Sequence, residues 1–113
     1  MSGYVYIMAD KPRGVMYIGV TSDLRDRVWE HKNKIHEGFT KKYNATNLVW
    51  FETHPNIVLA IKREKSLKRY FRDWKLGLVE GLNPTWMDLT ERIDEIDPPY
   101  KPHPGTKAWD DYN

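Results

Sequence analysis

Cysteine is absent from the 113-residue sequence, and so are long apolar runs. Without cysteine the chain can form no disulfide, thiolate nucleophile or cysteine-based zinc site, and it suits a reducing compartment. No apolar run approaches the ~18 residues that a membrane span requires. The first residues also lack a basic segment followed by an apolar one, so we expect no signal peptide. The sequence therefore predicts a cytoplasmic protein without a membrane role.

Motifs of several common enzyme classes are missing as well. There is no P-loop, no Gly-x-Gly-x-x-Gly after a strand and no Gly-x-Ser-x-Gly elbow. The four histidines lack the His-Glu-x-x-His spacing or a similar zinc-binding pattern. ATPase, dehydrogenase and serine-hydrolase functions therefore have no support.

The charge that is present is unevenly divided. The net charge is +2, yet residues 1–87 carry 15 Lys and Arg against 9 Asp and Glu, whereas residues 88–113 carry 3 against 7. A basic body suggests a polyanionic partner, although a solvated charged surface accounts for it equally well.

Strands are predicted in three places. Residues 3–9 and 15–20 are rich in β-branched and aromatic side chains and flank a turn with Gly and Pro, which predicts a β-hairpin. A third strand is expected over residues 46–53. Antiparallel pairing of these strands gives a small three-stranded sheet.

Helices are predicted between and after the strands. The first begins after the N-cap candidates Thr21-Ser22-Asp23 and runs to about Glu37. The second is expected from about residue 56 to 72, with a shorter one over 73–81, and Trp86 to Ile93 is a further amphipathic fragment. The order of elements predicts an α+β fold with helices flanking the sheet.

The domain is expected to span residues 1–93. Residues 94–113 form an acidic segment with four prolines, which predicts an extended or disordered tail. Docking of this tail to a protein partner is the alternative.

Two residues of the first predicted helix could meet a phosphate. Arg27 and His31 are i,i+4 neighbours, and Lys34 continues their row. They flank the stripe expected to be buried, which consists of Leu24, Val28 and Ile35. Arginine offers a planar fork with a fixed charge, and histidine can transfer a proton. An ordinary surface pair is the alternative.

The second predicted helix places Glu64 within an apolar face formed by Ile57, Ala60, Ile61 and Phe71. A carboxylate there needs compensation, from a cation, a metal ion or a site open to water. An i,i+4 ion pair with Lys68 is the structural alternative. The surrounding residues are basic and interleaved with aromatics, as in many phosphate-contacting faces.

Motifs in this order resemble the GIY-YIG nuclease family. Tyr4-Val5-Tyr6 and Tyr17-Ile18-Gly19 lie on the two hairpin strands, and the first departs from the family's Gly-Ile-Tyr while keeping the final tyrosine. Asp23 to His31 is similar to the family's first helix, and Arg63-Glu64-Lys65 to its metal-binding helix. Asn83 to Leu89 resembles a C-terminal element of short bacterial members. The resemblance covers about residues 3–90.

This resemblance implies the chemistry of a nuclease. Glu64 would bind one divalent cation, Mg²⁺ or Mn²⁺. Tyr17 or Tyr6 would help to activate the attacking water, with its pKa lowered by Arg27 and the cation. Arg27 would also steady charge on the phosphate, and His31 would assist in proton transfer or phosphate contact.

Supporting residues are implied as well. Gly19 would let its strand pass close to the active-site helix. Asn83 is a candidate for a position near the metal, with a turn before Pro84 as the alternative. The expected nucleic-acid contacts are Lys34, Lys42, Tyr43, Lys68 and Arg72, of which Lys42 and Tyr43 are placed in a loop after the first helix.

The sequence therefore predicts a metal-dependent endonuclease that hydrolyses phosphodiester bonds in DNA. A preference for particular DNA structures, a link to DNA repair or recombination and a protein partner that supplies specificity are further expectations. The alternative is a non-catalytic or partner-dependent nucleic-acid-binding subunit.

Overall fold

A three-stranded antiparallel sheet in the order β2-β1-β3 forms the centre of the fold. The computed structural model describes residues 2–35 and 38–96. The strands are β1 (Gly3–Ala9), β2 (Met16–Thr21) and β3 (Asn47–His54). The predicted hairpin, the third strand and the α+β class are confirmed.

Within residues 2–35 and 38–96, four α-helices and a short 3-10 helix accompany the sheet. The helices are α1 (Leu24–Lys32), α2 (Phe39–Tyr43), α3 (Ile57–Lys68) and α4 (Arg72–Leu82), and the 3-10 helix is Thr90–Arg92. None of the helices within the described part of the chain is long and apolar enough to cross a membrane.

The two faces of the sheet bury different clusters. On the side that we name the α3 face, Val5 and Ile7 pack with residues of α3 and α4. On the opposite side, the α1 face, Tyr6 and Met8 pack with residues of α1. This division follows from the alternation of side chains along β1, and it decides which polar groups can meet.

The first helix ends earlier than predicted. Asn33 is its C-cap, Lys34 has a φ of 55°, and the amide of Ile35 donates to the carbonyl of Glu30 at 3.0 Å. The amide of Lys34 donates to the carbonyl of His31 at 3.1 Å. This pair of bonds is a Schellman motif, which stops a helix at a left-handed residue. The predicted end at Glu37 is wrong, and Glu37 itself lies outside the described residues.

The second predicted helix divides into α3 and α4. The break falls at residues 69–71, so the prediction of one helix to residue 72 is wrong, while the shorter helix over 73–81 is confirmed as α4. Phe71 therefore does not belong to the apolar face of α3. The buried residues of α3 are Ala60, Arg63, Ser66 and Leu67.

The buried face of α3 is not the face predicted from the sequence, and this changes the environment of Glu64. Arg63 is the charged residue at the centre of the buried face, and Glu64 lies at its edge with 14% of its side chain exposed. Ile61, predicted to be buried, is 37% exposed. The prediction went wrong because apolar residues occur on both sides of this helix.

Two smaller predictions also change. Residues 39–43 form α2 rather than a loop, and the fragment over 86–93 is helical only at Thr90–Arg92. Of the predicted tail, residues 97–113 lie outside the described part of the chain.

The segment after α4 is fastened to the start of β3. A bulge in the β1–β3 pairing leaves Val49 without a partner in the register. The side-chain amide of Asn83 donates to the Val49 carbonyl at 3.0 Å. The Leu89 amide donates to the Leu48 carbonyl at 2.8 Å. Asp88 accepts a bond from the Leu48 amide at 3.3 Å and forms an ion pair with Lys32 of α1. These bonds satisfy backbone groups that the sheet leaves unpaired.

Candidate active site

Tyr6 and His31 form the buried centre of a polar cluster on the α1 face. Tyr6 lies in the middle of β1, and its hydroxyl is 2.8 Å from Nε2 of His31 in α1. Both side chains are almost fully buried. His31 reaches this position because it follows Leu24 and Val28 on the buried side of α1. The predicted flanking histidine is therefore part of the core.

Tyr17 extends the cluster toward the surface. Its ring centroid lies 6.3 Å from that of Tyr6 and 5.4 Å from that of His31, with an edge-on approach to the histidine. Tyr17 is half-buried, whereas Tyr6 has no exposed surface. Of the two tyrosines expected to activate water, Tyr17 is the one that solvent can reach.

Gly19 makes room for the Tyr6 ring. The two residues are directly opposite each other in the β1–β2 register. A Cβ atom on Gly19 would lie 2.4 Å from both Cζ and the hydroxyl oxygen of Tyr6. The sequence predicts that Gly19 accommodates a neighbouring helix, but the space is taken by the tyrosine ring. Gly19 thus permits the close packing of the cluster.

Arg27 brings a positive charge to the edge of the cluster. It is half-buried, and its Nε lies 3.4 Å from a carboxylate oxygen of Glu30. Burial raises the pKa of Tyr6 well above its ordinary value, and the nearby Tyr17 adds to this effect, while Arg27 opposes it through its charge and a hydrogen bond. At Tyr6 burial outweighs the arginine, so Arg27 alone does not bring the pKa of this tyrosine below its ordinary value.

The sequence of the chain matches the GIY-YIG catalytic domain family. The description of that family fits residues 2–77 of the chain. The chain belongs to the GIY-YIG family. The resemblance carried by Tyr4-Val5-Tyr6 and Tyr17-Ile18-Gly19 is confirmed.

Similar GIY-YIG proteins carry the name UPF0213. One from Staphylococcus epidermidis is 34% identical over 77 residues, which cover 68% of this chain and 93% of that protein. One from Clostridium perfringens is 34% identical over 78 residues, which cover 69% and 83%. The solution NMR structure of the UPF0213 protein from Bacillus halodurans has a TM-score of 0.50 and 26% identity, and the alignment covers 80% of this chain and 96% of that one.

Glu64 is the carboxylate that is expected from the sequence to bind a divalent metal. Its side chain is mostly buried and lies 3.2 Å from Nζ of Lys68, so the ion pair considered from the sequence is present. Among the described residues, no three His, Asp or Glu side chains are grouped so as to hold a metal ion. Mg²⁺ commonly binds through one or two carboxylates, with water and phosphate as the other ligands. A single hard carboxylate therefore fits such an ion.

The residues expected to contact nucleic acid lie in four places: after the end of α1, in α2, at the end of α3 and at the start of α4. Lys34 is exposed at the end of α1, and Nζ of Lys42 lies 5.4 Å from the ring centroid of exposed Tyr43 in α2. Lys68 is held by Glu64. Arg72 donates to the carbonyls of Arg13 and Gly14 at 2.6 and 3.0 Å and so holds the hairpin turn against α4. Lys68 and Arg72 thus both make contacts within the protein.

Asn83 has a structural role after the end of α4. Its amide nitrogen donates to the carbonyls of Val49 and Met87, and its amide oxygen accepts from the Met87 amide at 3.2 Å. Asn83 is 3% exposed. These contacts correspond to the turn considered from the sequence as the alternative to a metal-proximal position.

Sequence reasoning missed Glu30 and a second polar cluster. Glu30 is i,i+3 to Arg27, and that spacing could have indicated it. On the α3 face, Nε of Arg63 donates to Glu52 at 2.7 Å, and Nε2 of His54 lies 2.8 Å from the same oxygen. The signal was the i,i+2 spacing of Glu52 and His54 along β3, which places both on one face.

Proposed function

We propose that this GIY-YIG protein is a divalent-metal-dependent endonuclease that hydrolyses phosphodiester bonds in DNA. The observation that carries the proposal is the cluster of Tyr6, His31, Tyr17 and Arg27. It joins both hairpin strands to α1 and combines a buried hydrogen bond with two groups that reach the surface.

Arg27 is assigned to the phosphate. Its side chain is half-buried, so the attraction of its guanidinium for a phosphate oxygen is less screened than that of a fully exposed arginine. The charge on a phosphoryl group changes during hydrolysis, and a fixed guanidinium stabilises the transition state. Glu30, 3.4 Å away, keeps the side chain in place.

Tyr17 is assigned to the attacking water. Tyr17 positions the water through its hydroxyl. To act as the base, the phenol first gives up its own proton to solvent, and the resulting phenolate then takes a proton from the water. Tyr6 has the complementary role. Because burial raises the pKa of Tyr6, its hydroxyl stays protonated and shares a hydrogen bond with Nε2 of His31. This bond fixes the imidazole against the Tyr17 ring.

Glu64 is assigned to the metal. A single carboxylate with Lys68 as an exposed partner can exchange that partner for a cation, because the lysine side chain is flexible. When bound there, Mg²⁺ or Mn²⁺ supplies positive charge to the scissile phosphate and to the leaving oxygen. A role in DNA repair or recombination, in the cytoplasm, is the setting that we infer from the family resemblance.

The proposal is tested by incubating the purified protein with Mg²⁺, Mn²⁺ or EDTA and labelled single-stranded, duplex, flap and four-way-junction DNAs. Glu64→Gln removes the charge at nearly constant shape, and Glu91→Gln is the matched control at an exposed carboxylate. We expect cleavage that needs the metal, is lost in Glu64→Gln and is retained in Glu91→Gln. Cleavage that persists in Glu64→Gln contradicts the assignment of Glu64. Binding without cleavage by the unaltered protein would identify a nucleic-acid-binding subunit instead.

A further inference from the structure

Two aromatic side chains at the start of α4 lie on the protein surface. Phe71 is 75% exposed and Trp74 is 44% exposed. Their ring centroids are 6.1 Å apart and the rings are nearly perpendicular, at 86°. With most of its surface accessible, Phe71 has a ring face open to a flat ligand. We name this pair the aromatic platform.

The position of Phe71 is unfavourable for stability. Phe71 is the N-cap of α4 and makes no side-chain capping bond there. Ser, Thr, Asp or Asn at this position would satisfy an unpaired amide and stabilise the helix by about 1 kcal/mol. A large apolar side chain at an exposed N-cap breaks two local preferences at once. Such departures are expected where a residue serves binding rather than folding.

The platform is fixed to the interior of the domain. Nη1 of Arg63, itself bonded to Glu52 of β3, donates to the Tyr70 hydroxyl at 3.1 Å. The Trp74 ring stands at 90° to the Tyr70 ring, with centroids 5.2 Å apart, and Phe71 packs on Trp74. The surface rings are thus held by a chain of contacts that begins in the sheet. A ligand that stacks there needs to order few side chains.

The charge around the platform favours an anionic partner. Residues 62–75 contain seven Lys and Arg against two Asp and Glu. Arg63 is buried, and the other cations are exposed or half-buried: Lys62, Lys65, Lys68, Arg69, Arg72 and Lys75. Aromatic rings within a basic surface are the combination that binds single-stranded nucleic acid, because bases stack on the rings while cations contact the phosphates.

We propose that the aromatic platform binds unpaired nucleotides of a DNA strand, with a base stacked on Phe71. The choice of DNA rests on the proposed function, and the platform deepens it by naming the single-stranded part of the substrate. Duplex DNA keeps its bases stacked on one another, so it cannot occupy Phe71 in this way. The protein therefore prefers DNA with a flap, gap or unpaired end.

Equilibrium binding in EDTA, where no cleavage occurs, tests this inference. Fluorescence anisotropy is measured with a duplex, with the same duplex carrying a single-stranded thymidine arm, and with that arm made of abasic spacers. For the unaltered protein we expect the thymidine arm to bind roughly five- to a hundredfold more tightly than the abasic arm. The abasic arm keeps every phosphate, so this ratio isolates stacking.

Three variants locate the effect. Phe71→Ser should lose the preference for bases while its melting temperature stays equal or rises, since serine is a good N-cap. Phe71→Tyr should keep the preference. Val58→Thr, at a 57% exposed position of α3, is the control for loss of an exposed apolar group and should leave binding unchanged.

Equal binding of the two arms by the unaltered protein overturns the inference, as does a Phe71→Ser variant that retains the preference. Failure of the nuclease proposal gives a different result, because the base preference then persists while no DNA is cleaved in Mg²⁺ or Mn²⁺. Cleavage without any base preference supports the nuclease proposal and contradicts base stacking on the aromatic platform. If the protein binds none of these DNAs, both proposals are contradicted. A protein partner would then be the ligand to seek for the aromatic platform.

Discussion

The two faces of the sheet each hold a cluster of hydrogen-bonded polar side chains, but the clusters differ in access to solvent. On the α3 face, Glu52, Arg63 and His54 have side chains no more than 4% exposed. On the α1 face, Tyr6 and His31 are equally buried, yet Tyr17 and Arg27 reach the surface. We name these the closed cluster and the open cluster.

The difference separates stability from function. A buried carboxylate and guanidinium need each other, because loss of either leaves an uncompensated charge in the interior. In the open cluster the buried pair, Tyr6 and His31, instead holds groups that a substrate can meet. Substitutions in the closed cluster should therefore unfold the protein, and those in the open cluster should mainly abolish cleavage.

The largest effect is expected for Arg63→Ala in the closed cluster. It leaves Glu52 buried without its guanidinium partner and should lower the free energy of unfolding by about 3–5 kcal/mol. Urea denaturation followed by circular dichroism measures this. The double variant Glu52→Gln, Arg63→Met removes both charges and should recover much of the loss. A loss below about 1 kcal/mol for Arg63→Ala would show that the closed cluster is not needed for stability.

Arg27→Ala breaks the open cluster at its charged edge. We expect the single-turnover cleavage rate to fall by about 10²–10³-fold, as for loss of one transition-state donor. Stability should change by less than about 1 kcal/mol, since the Glu30 pair is partly solvated. Arg25→Ala, on an exposed position of the same helix, should cleave normally. Equal cleavage rates for Arg27→Ala and Arg25→Ala would show that Arg27 takes no part in cleavage.

Gly19→Ala tests the packing of the open cluster. A methyl group would collide with the Tyr6 ring, so we expect a loss of about 1–3 kcal/mol in unfolding free energy and a lower cleavage rate. Gly77→Ala is the control with the opposite sign, because nothing lies within 4 Å of a Cβ there and α4 should gain about 0.5–1 kcal/mol. Thermal melting of both variants measures the contrast, and similar shifts would contradict it.

The smallest effect is the alkaline dependence due to Tyr6. Its pKa is raised by burial in the folded protein, so above pH ~10 the unfolded chain loses this proton first. The Tyr6 contribution to stability is therefore complete below that pH and falls as the pH rises, by at most about 1.4 kcal/mol per pH unit. Tyr6→Phe should lack this loss. If the unaltered protein and Tyr6→Phe gave parallel curves of unfolding free energy between pH 8 and 11, the predicted contribution of Tyr6 would be contradicted.

The strands were predictable because their signals are local. The alternation of β-branched and aromatic residues defines the hairpin and places Tyr6, Tyr17 and Gly19 close together before any tertiary contact is considered. Arg27 and His31 followed from i,i+4 spacing on one helix. These residues, joined by the family motifs, gave most of the candidate site.

The errors arose where tertiary contacts override local pattern. The identity of the buried charge on α3 depends on Glu52 of β3, which accepts a hydrogen bond from Arg63. His54 bonds to the same carboxylate oxygen, so the buried face of α3 receives Arg63 rather than Glu64. The early end of α1 depends on a left-handed Lys34, a conformation that lysine rarely adopts. Neither helical periodicity nor capping preference contains this information.

The most direct test of the open cluster is the single-turnover cleavage rate of Tyr17→Phe at saturating DNA and Mg²⁺. Tyr17 contacts His31 and is half-buried, so removal of its hydroxyl should spare the fold. We predict a rate lower by at least about 10²-fold, in the range of lost general-base catalysis, with an unchanged melting temperature. A rate equal to that of the unaltered protein would contradict the account and remove the open cluster from the chemistry.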